Sequence, residues 1–213
     1  PSPWTVLPVT GGVQTSGILQ RGKILAYRDG GTVHAYSALT RSWRSTTVSG
    51  GATLRIANDL LIIRDGTRFT AFASYSGRFA SITVSATGKL VNPSTQGNDS
   101  IALVADGTDL WAFSGFIGKW TRRTISGSAK VAVQRHVAII ADGKQLHGMS
   151  AFRGQWTTTT MAATETRIAV DGTIGVAAAA GRIHGFSALR GTWQTATSLL
   201  GTAKFALVAG CRW

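Results

Sequence analysis

Five cations recur at one kind of place in this sequence. Arg55, Lys89, Lys130, Arg167 and Lys204 each stand directly before an apolar residue: Ile56, Leu90, Val131, Ile168 and Phe205. Only the first unit of the pattern departs, with Gly17-Ile18. Lysine and arginine repeated in this way bind phosphate, sulfate or carboxylate groups; they do not by themselves break bonds. A second set, Arg41, Arg78, Lys119, Arg153 and Arg190, falls in short polar linkers elsewhere in the units, with Arg44, Arg122 and Arg123 close behind. Leu39, Tyr75, Phe116, Phe152 and Leu189 share those linkers, where they either stack on sugars or bases or cap the elements beneath them.

Residues for bond-breaking chemistry are scarce. The chain carries 9 Asp+Glu against 22 Lys+Arg, a net charge of +13. Asp29, Asp65, Asp106, Asp142 and Asp171 sit beside or near Gly in tight turns, where Asp tolerates a positive φ and bonds its own backbone. Asp59 and Asp99 follow Asn in similar turns, which leaves Asp109 and Glu165 with other work open to them. Those two fall in different units, so a pair of carboxylates for acid–base catalysis is not expected. His34, His147 and His184 occupy one repeated position, filled by Thr70 and Trp111 elsewhere. Rotated from unit to unit, they are expected as packed, hydrogen-bonded residues and not as shared metal ligands. No zinc spacing is present, and neither a metal nor a cofactor is expected.

The elements that must position these residues are legible as one repeated sentence. HVAIIADGKQLHGMSAFRGQW, at 136–156, reads as an apolar strand, an Asp-Gly turn, a second strand, a short loop and a Trp opening a third strand. The same sentence starts at Lys23, Leu60, Ser100 and Ile174, a period of 36 to 41 residues. With a further strand before each, every unit holds four short strands rich in Val, Ile, Thr and aromatics. The first strands are placed near Gly17–Gln20, Thr53–Ala57, Lys89–Asn92, Ala129–Gln134, Thr166–Val170 and Ala203–Val208. The last strands begin at Trp4, Trp43, Phe79, Trp120, Trp156 and Trp193, whose rings are expected between neighbouring units.

Four antiparallel strands repeated around a ring make a β-propeller, an all-β fold that leaves only short, protected edges. The units span about 17–48, 52–84, 88–125, 128–161 and 165–198, in a single domain over residues 1–213. Leftover strands at 4–9 and 203–208 predict a sixth, reduced blade closed by the two termini; five-bladed closure is the alternative. In a ring of this strand order the first strands line the central channel. Arg55, Lys89, Lys130, Arg167 and Lys204 would then crowd one mouth, unfavourably unless paired, screened or occupied by an anion. With few carboxylates to spare, an anion is expected; the alternative is that the cations splay into solvent over packed stems.

The run V-A-I-I-A-D-G-K-Q-L-H-G-M-S-A-F-R-G-Q-W resembles the repeat of quinoprotein-type propellers, and its Gly-x-Trp end is similar to kelch repeats. The resemblance covers nearly the whole chain and implies fold more than function. Trp follows Gly118, Gly154 and Gly191 at a shorter distance than in the quinoprotein repeat. Enzymes of that family hold a quinone and Ca²⁺ with acidic ligands and often paired cysteines. With one Cys and one Glu, this chain is similar to a non-catalytic relative.

The expectation is therefore a non-enzymatic binding module for an anionic polymer, an acidic glycan ahead of nucleic acid. Its partner would meet the basic axial ring and the basic loops. A secreted or periplasmic location accords with the Thr-, Ser- and Gly-rich, Trp-bearing repeats. The alternative is a scaffold subunit that docks on a larger protein or membrane assembly through the C-terminal edge at 203–213. No apolar run reaches the ~18 residues of a membrane span, and the lone Cys211 forms no internal disulfide.

Overall fold

The structure is a computed structural model, and it describes residues 17–92, 99–164 and 167–197. Within them the chain is all-β. Twenty strands form five four-stranded antiparallel sheets, each a meander of consecutive strands, consistent with the blades of a propeller. Sheet I holds β1 (Ile18–Arg21), β2 (Ile24–Asp29), β3 (Thr32–Ser37) and β4 (Ser42–Thr47). Sheet II holds β5 (Thr53–Ile56), β6 (Leu60–Asp65), β7 (Arg68–Ala73) and β8 (Arg78–Thr83). Sheet III holds β9 (Lys89–Asn92), β10 (Ile101–Asp106), β11 (Asp109–Ser114) and β12 (Lys119–Thr124). Sheet IV holds β13 (Lys130–Gln134), β14 (Val137–Asp142), β15 (Gln145–Ser150) and β16 (Gln155–Thr160). Sheet V holds β17 (Arg167–Asp171), β18 (Ile174–Ala179), β19 (Arg182–Ser187) and β20 (Thr192–Thr197). The closing strands expected at 4–9 and 203–208, and with them Lys204, lie outside the described residues.

The core lies between the sheets. One apolar layer joins Ile24, Val33 and Ala35 of sheet I to Leu61, Ile63 and Phe72 of sheet II. The next joins Leu60, Ile62 and Phe69 to Val104 and Phe113, and a third joins Leu103 and Leu110 to Ile140 and Met149. Two smaller clusters join sheets IV and V. Sheets II to IV are thus covered on both faces, which is why their second strands read as unbroken apolar runs. Leu60–Ile63, Ile101–Val104 and Val137–Ile140 are buried at every residue.

Polar links fix the spacing of adjacent sheets. The indole of Trp120 donates to the carbonyl of Ala80 at 3.0 Å, and that of Trp193 to Thr157 at 3.3 Å, so these rings bridge neighbouring sheets as expected. Each also leans on an aromatic of its own third strand, Phe113 or Phe186. Ser37, Ser114 and Ser150, each ending a third strand, donate from Oγ to the carbonyls of Ser74, Ala151 and Ala188 in the following sheet. The Asp-Gly turns differ from expectation in one respect. Gly30, Gly66, Gly107 and Gly143 carry the positive φ (54°, 60°, 60° and 59°), which frees the preceding Asp for another task. Asp65, Asp106 and Asp142 each accept the backbone N–H and hydroxyl of Ser49, Ser85 and Ser126, in the loop entering their own sheet. Those hydrogen bonds hold all three carboxyls below the usual range.

Candidate anion-binding end and the opposite polar chain

At the end of the sheets where the second strand turns into the third, first and second strands form one recurrent pair. Lys89 faces Ala105, Lys130 faces Ala141 and Arg167 faces Ala178. In sheet II the same pair is Thr53 with Arg64, so the cation has crossed to the neighbouring strand. In sheet I the position falls on Arg28, one residue beyond Tyr27, which faces Ile18. Cross-strand partners project from the same face, so the cation is retained while its strand changes.

The five expected axial residues therefore do not share one register. Arg55 faces Ile62, two residues further along its strand than the position held by Lys89, Lys130 and Arg167. Lys204 lies outside the described residues. Arg64, on the neighbouring strand, stands where the repeated dipeptide predicts Arg55. Arg28 is occupied, donating to the carbonyls of Gly30 (2.8 Å), Ser49 (2.7 Å) and Gly50 (3.2 Å), and so it clamps the loop that enters sheet II. Arg55, Arg64, Lys89, Lys130 and Arg167 are exposed. A pocket of about 150 Å³ between sheets II and III is lined by Thr53, Arg55, Ile62, Arg64, Phe69, Lys89 and Leu90. Arg64 lies over the Phe69 ring, 5.7 Å from its centroid.

The opposite end is organised by residues whose types give no hint of equivalence. Lys23, Asp59, Ser100 and His136 hold one position, just after the turn between first and second strands, in sheets I to IV. Their side chains touch in sequence. Lys23 Nζ donates to Asp59 Oδ1 at 2.8 Å, Ser100 Oγ donates to Asp59 Oδ2 at 2.6 Å, and His136 Nδ1 lies 3.1 Å from Ser100 Oγ. Backbone bonds run parallel: Lys23 N to Asn58 O, Ser100 N to Arg135 O and His136 N to Gly172 O. Asp59 and Ser100 are buried. Burial opposes the Lys23 charge, but its bonds to Asp59 and Tyr75 outweigh that and raise its pKa; burial lowers that of His136.

Above this chain the loop aromatics stack on one another. Ring centroids are 4.1 Å apart for Tyr75 and Phe116 and 4.4 Å for Phe116 and Phe152, with His136 against both phenylalanines. Leu39, Tyr75 and Leu189 remain exposed, whereas Phe116 and Phe152 are half-buried. The loop cations do not form one row. Arg41 takes the positive-φ position that Gly77, Gly118, Gly154 and Gly191 fill elsewhere. Arg78 and Lys119 follow that position, and Arg153 and Arg190 precede it; all five cations are exposed.

Asp, Ser and His in contact suggest a hydrolase only until their order is read. A nucleophilic Ser needs His between itself and the carboxylate. Here Ser100 lies in the middle, fully buried, with its proton directed to Asp59. The repeated histidines are structural. Nδ1 of His34, His147 and His184 lies 2.8, 3.0 and 2.9 Å from Ser45, Thr158 and Thr195 on the fourth strand. Thr70 and Ser81 make the same cross-strand bond in sheet II. Sheet III substitutes Trp111 with Arg122 above it, and Asp109 pairs with that Arg122 at 2.6 Å. Burial pushes the pKa of His147 down to about 4, with Arg123 adding to the effect. Among the described residues, no three His, Cys, Asp or Glu side chains converge as metal ligands.

No family model matches the chain, and no curated protein matches it. Among solved structures it is similar to Hsv2 of Kluyveromyces lactis, at 10% identity and a TM-score of 0.33, over 80% of this chain and 60% of that one. It is also similar to BamB of Moraxella catarrhalis, at 15% identity and a TM-score of 0.29, over 78% and 53% of the two chains. A third is PorZ of Porphyromonas gingivalis, at 12% identity and a TM-score of 0.31, over 87% and 28%. The chain spans about 60% of the length of the Hsv2 structures it matches.

Proposed function

We propose that this chain is a non-enzymatic binding module for a polyanion, an acidic glycan in the first place, read by the cations at one end of its sheets. One observation carries the reading. The first-and-second-strand pair presents an exposed cation in sheets II to V, at Arg64, Lys89, Lys130 and Arg167. Neither the Lys23–Asp59 nor the Arg122–Asp109 ion pair uses Arg64, Lys89 or Arg167. The excess of cations over the whole chain adds a field that attracts such a ligand. Arg41, Arg78, Lys119, Arg153 and Arg190 form a second basic surface at the opposite end. On this reading the chain is a propeller akin to quinoprotein-type and kelch-like repeats, closed as six blades by strands 4–9 and 203–208, and it works outside the cytoplasm.

The test is retention on a heparin-type column. A log–log fall of affinity with salt is expected as counterions are released. Replacing Lys89, Lys130 and Arg167 together with Ala should lower the eluting salt concentration and flatten that slope by about three charges. Unchanged retention would remove the row from the binding surface.

A scaffold role has one observation in its favour. Ile174 and Leu189 of sheet V are 52% and 56% exposed, beside a surface cleft lined by Phe186, Arg190 and Gln194. Apolar exposure of that kind suits a protein partner. Recovery of the chain only in a complex with another protein, with no retention on the polyanion column, would favour this second reading.

A further inference from the structure

We propose that the cleft between sheets II and III is a seat for a group with three terminal oxygens, a sulfate ester or a phosphate monoester. The proposal rests on the polyanion reading and assigns it a chemical class. Three cations reach the cleft from three separate strands: Arg55 from β5, Arg64 from β6 and Lys89 from β9. Thr53, across from Arg64, adds a hydroxyl to the lining. A carboxylate or a phosphodiester offers two terminal oxygens, which one guanidinium satisfies with a parallel pair of hydrogen bonds. Donors converging from three directions fit a group that has an oxygen for each.

The walls strengthen the attraction. Ile62 and Phe69 are buried and Leu90 is half-buried, so the cations lie over a low-dielectric floor where charge interactions are screened less than in open water. Arg64 is held in place by Phe69 beneath its guanidinium and by a bond from Nε to the Gly66 carbonyl at 3.5 Å, which leaves its terminal nitrogens for a ligand. The volume, about 150 Å³, accommodates one compact group such as a sulfate or phosphate. The rest of the polymer would run outside the cleft, along the row towards Lys130 and Arg167. Sheet II is where the cation has changed strand, so the Arg64 position and the offset Arg55 lie together only here.

The test is a titration followed by backbone amide NMR, at constant ionic strength, with glucose 6-sulfate, glucose 6-phosphate and glucuronate. Saturable shifts are expected at residues 53–55, 62–64 and 89–90 with the sulfate or the phosphate, and glucuronate should bind about tenfold more weakly. The tighter binder of the two three-oxygen sugars shows whether the cleft prefers a sulfate ester or a phosphate monoester. Arg64→Gln and Lys89→Gln, both at exposed positions, should each weaken binding about tenfold, while Lys144→Gln in a turn of sheet IV leaves it unchanged. No saturable shift in the wild-type chain, equal binding of glucuronate, or indifference to both cleft substitutions would each overturn the proposal. Retention of the wild-type chain on the heparin-type column separates the two levels. If it persists while the cleft fails, the binding module stands without this seat; if it is absent, the polyanion reading falls as well.

Discussion

Arg64 stands directly across the ladder from Thr53, at the position where the next three sheets pair an alanine on the second strand with a cation on the first. The charge has moved between strands and kept its face. If what is retained is a cation at that point in space, the swap should be reversible. Thr53→Lys combined with Arg64→Ala is expected to restore the salt-dependent retention that Arg64→Ala alone loses. Equal loss in the single and double variants would show that the guanidinium of Arg64, and not the charge, is what counts.

His147 should make the fold sensitive to mild acid. Its ring is buried against Thr158, and its pKa falls from the ordinary 6.5 to about 4. The unfolded chain takes up the proton first, so stability is complete above pH 6.5 and declines as the pH falls towards 4, where it levels off. A difference of that size corresponds to about 3 kcal/mol, an upper figure for one site. His136 and His184, also shifted down by burial, act in the same direction. Melting temperatures measured from pH 7 to pH 4 should fall steeply for the native chain and less for His147→Gln. Parallel curves would refute the assignment.

The Ser–Asp clamp present in sheets II, III and IV is missing from sheet V, where Ala162 and Ala179 occupy the two positions. Both partners have been lost together, which leaves no orphan. Ala162→Ser with Ala179→Asp should therefore install a clamp like that of Ser126 with Asp142 and raise the melting temperature, whereas either substitution alone should do little. In the native chain Asp142→Ala should lower it. The three clamp carboxyls have depressed pKa values, so what they contribute is present above the ordinary carboxylate range and is lost as the pH drops through their folded values. A double variant no more stable than its singles would mean that the loop entering sheet V has a different path.

The strands were legible in the sequence because the hairpin of second and third strands carries Asp-Gly punctuation in sheets I to IV, and Ala-Gly in sheet V, while each fourth strand has an aromatic at its start. Registration between first and second strands was not. Arg55-Ile56 looks like Lys89-Leu90 as a dipeptide, yet Arg55 faces Ile62 while Lys89 faces the residue before Asp106, and only the pairing shows it. The chain of Lys23, Asp59, Ser100 and His136 was hidden for a different reason. Its members share a repeat position but not a residue type, and each bonds a neighbour 36 or 41 residues away. A comparison of repeat positions by hydrogen-bonding capacity, in place of identity, would have found it.

The interface of sheets IV and V depends on two glycines, and it supplies the sharpest test of the packing. A Cβ on Gly175 would lie 2.0 Å from Ile139 Cδ1, and one on Gly148 would lie 2.6 Å from Phe186 Cδ2. Neither glycine has a positive φ, so the requirement is space and not backbone conformation. Ile139 and Phe186 are buried, hence Gly175→Ala forces the sheets apart at a cost of about 1–3 kcal/mol. Ile139→Ala removes both atoms that Cβ would strike, Cδ1 at 2.0 Å and Cγ1 at 2.6 Å, and leaves a cavity that the new methyl partly fills. Gly175→Ala should then be neutral or stabilising in the Ile139→Ala background while it is destabilising in the native one. That coupling is read from a double-mutant cycle of chemical denaturation. Additive effects would mean that the two sheets do not meet at this pair.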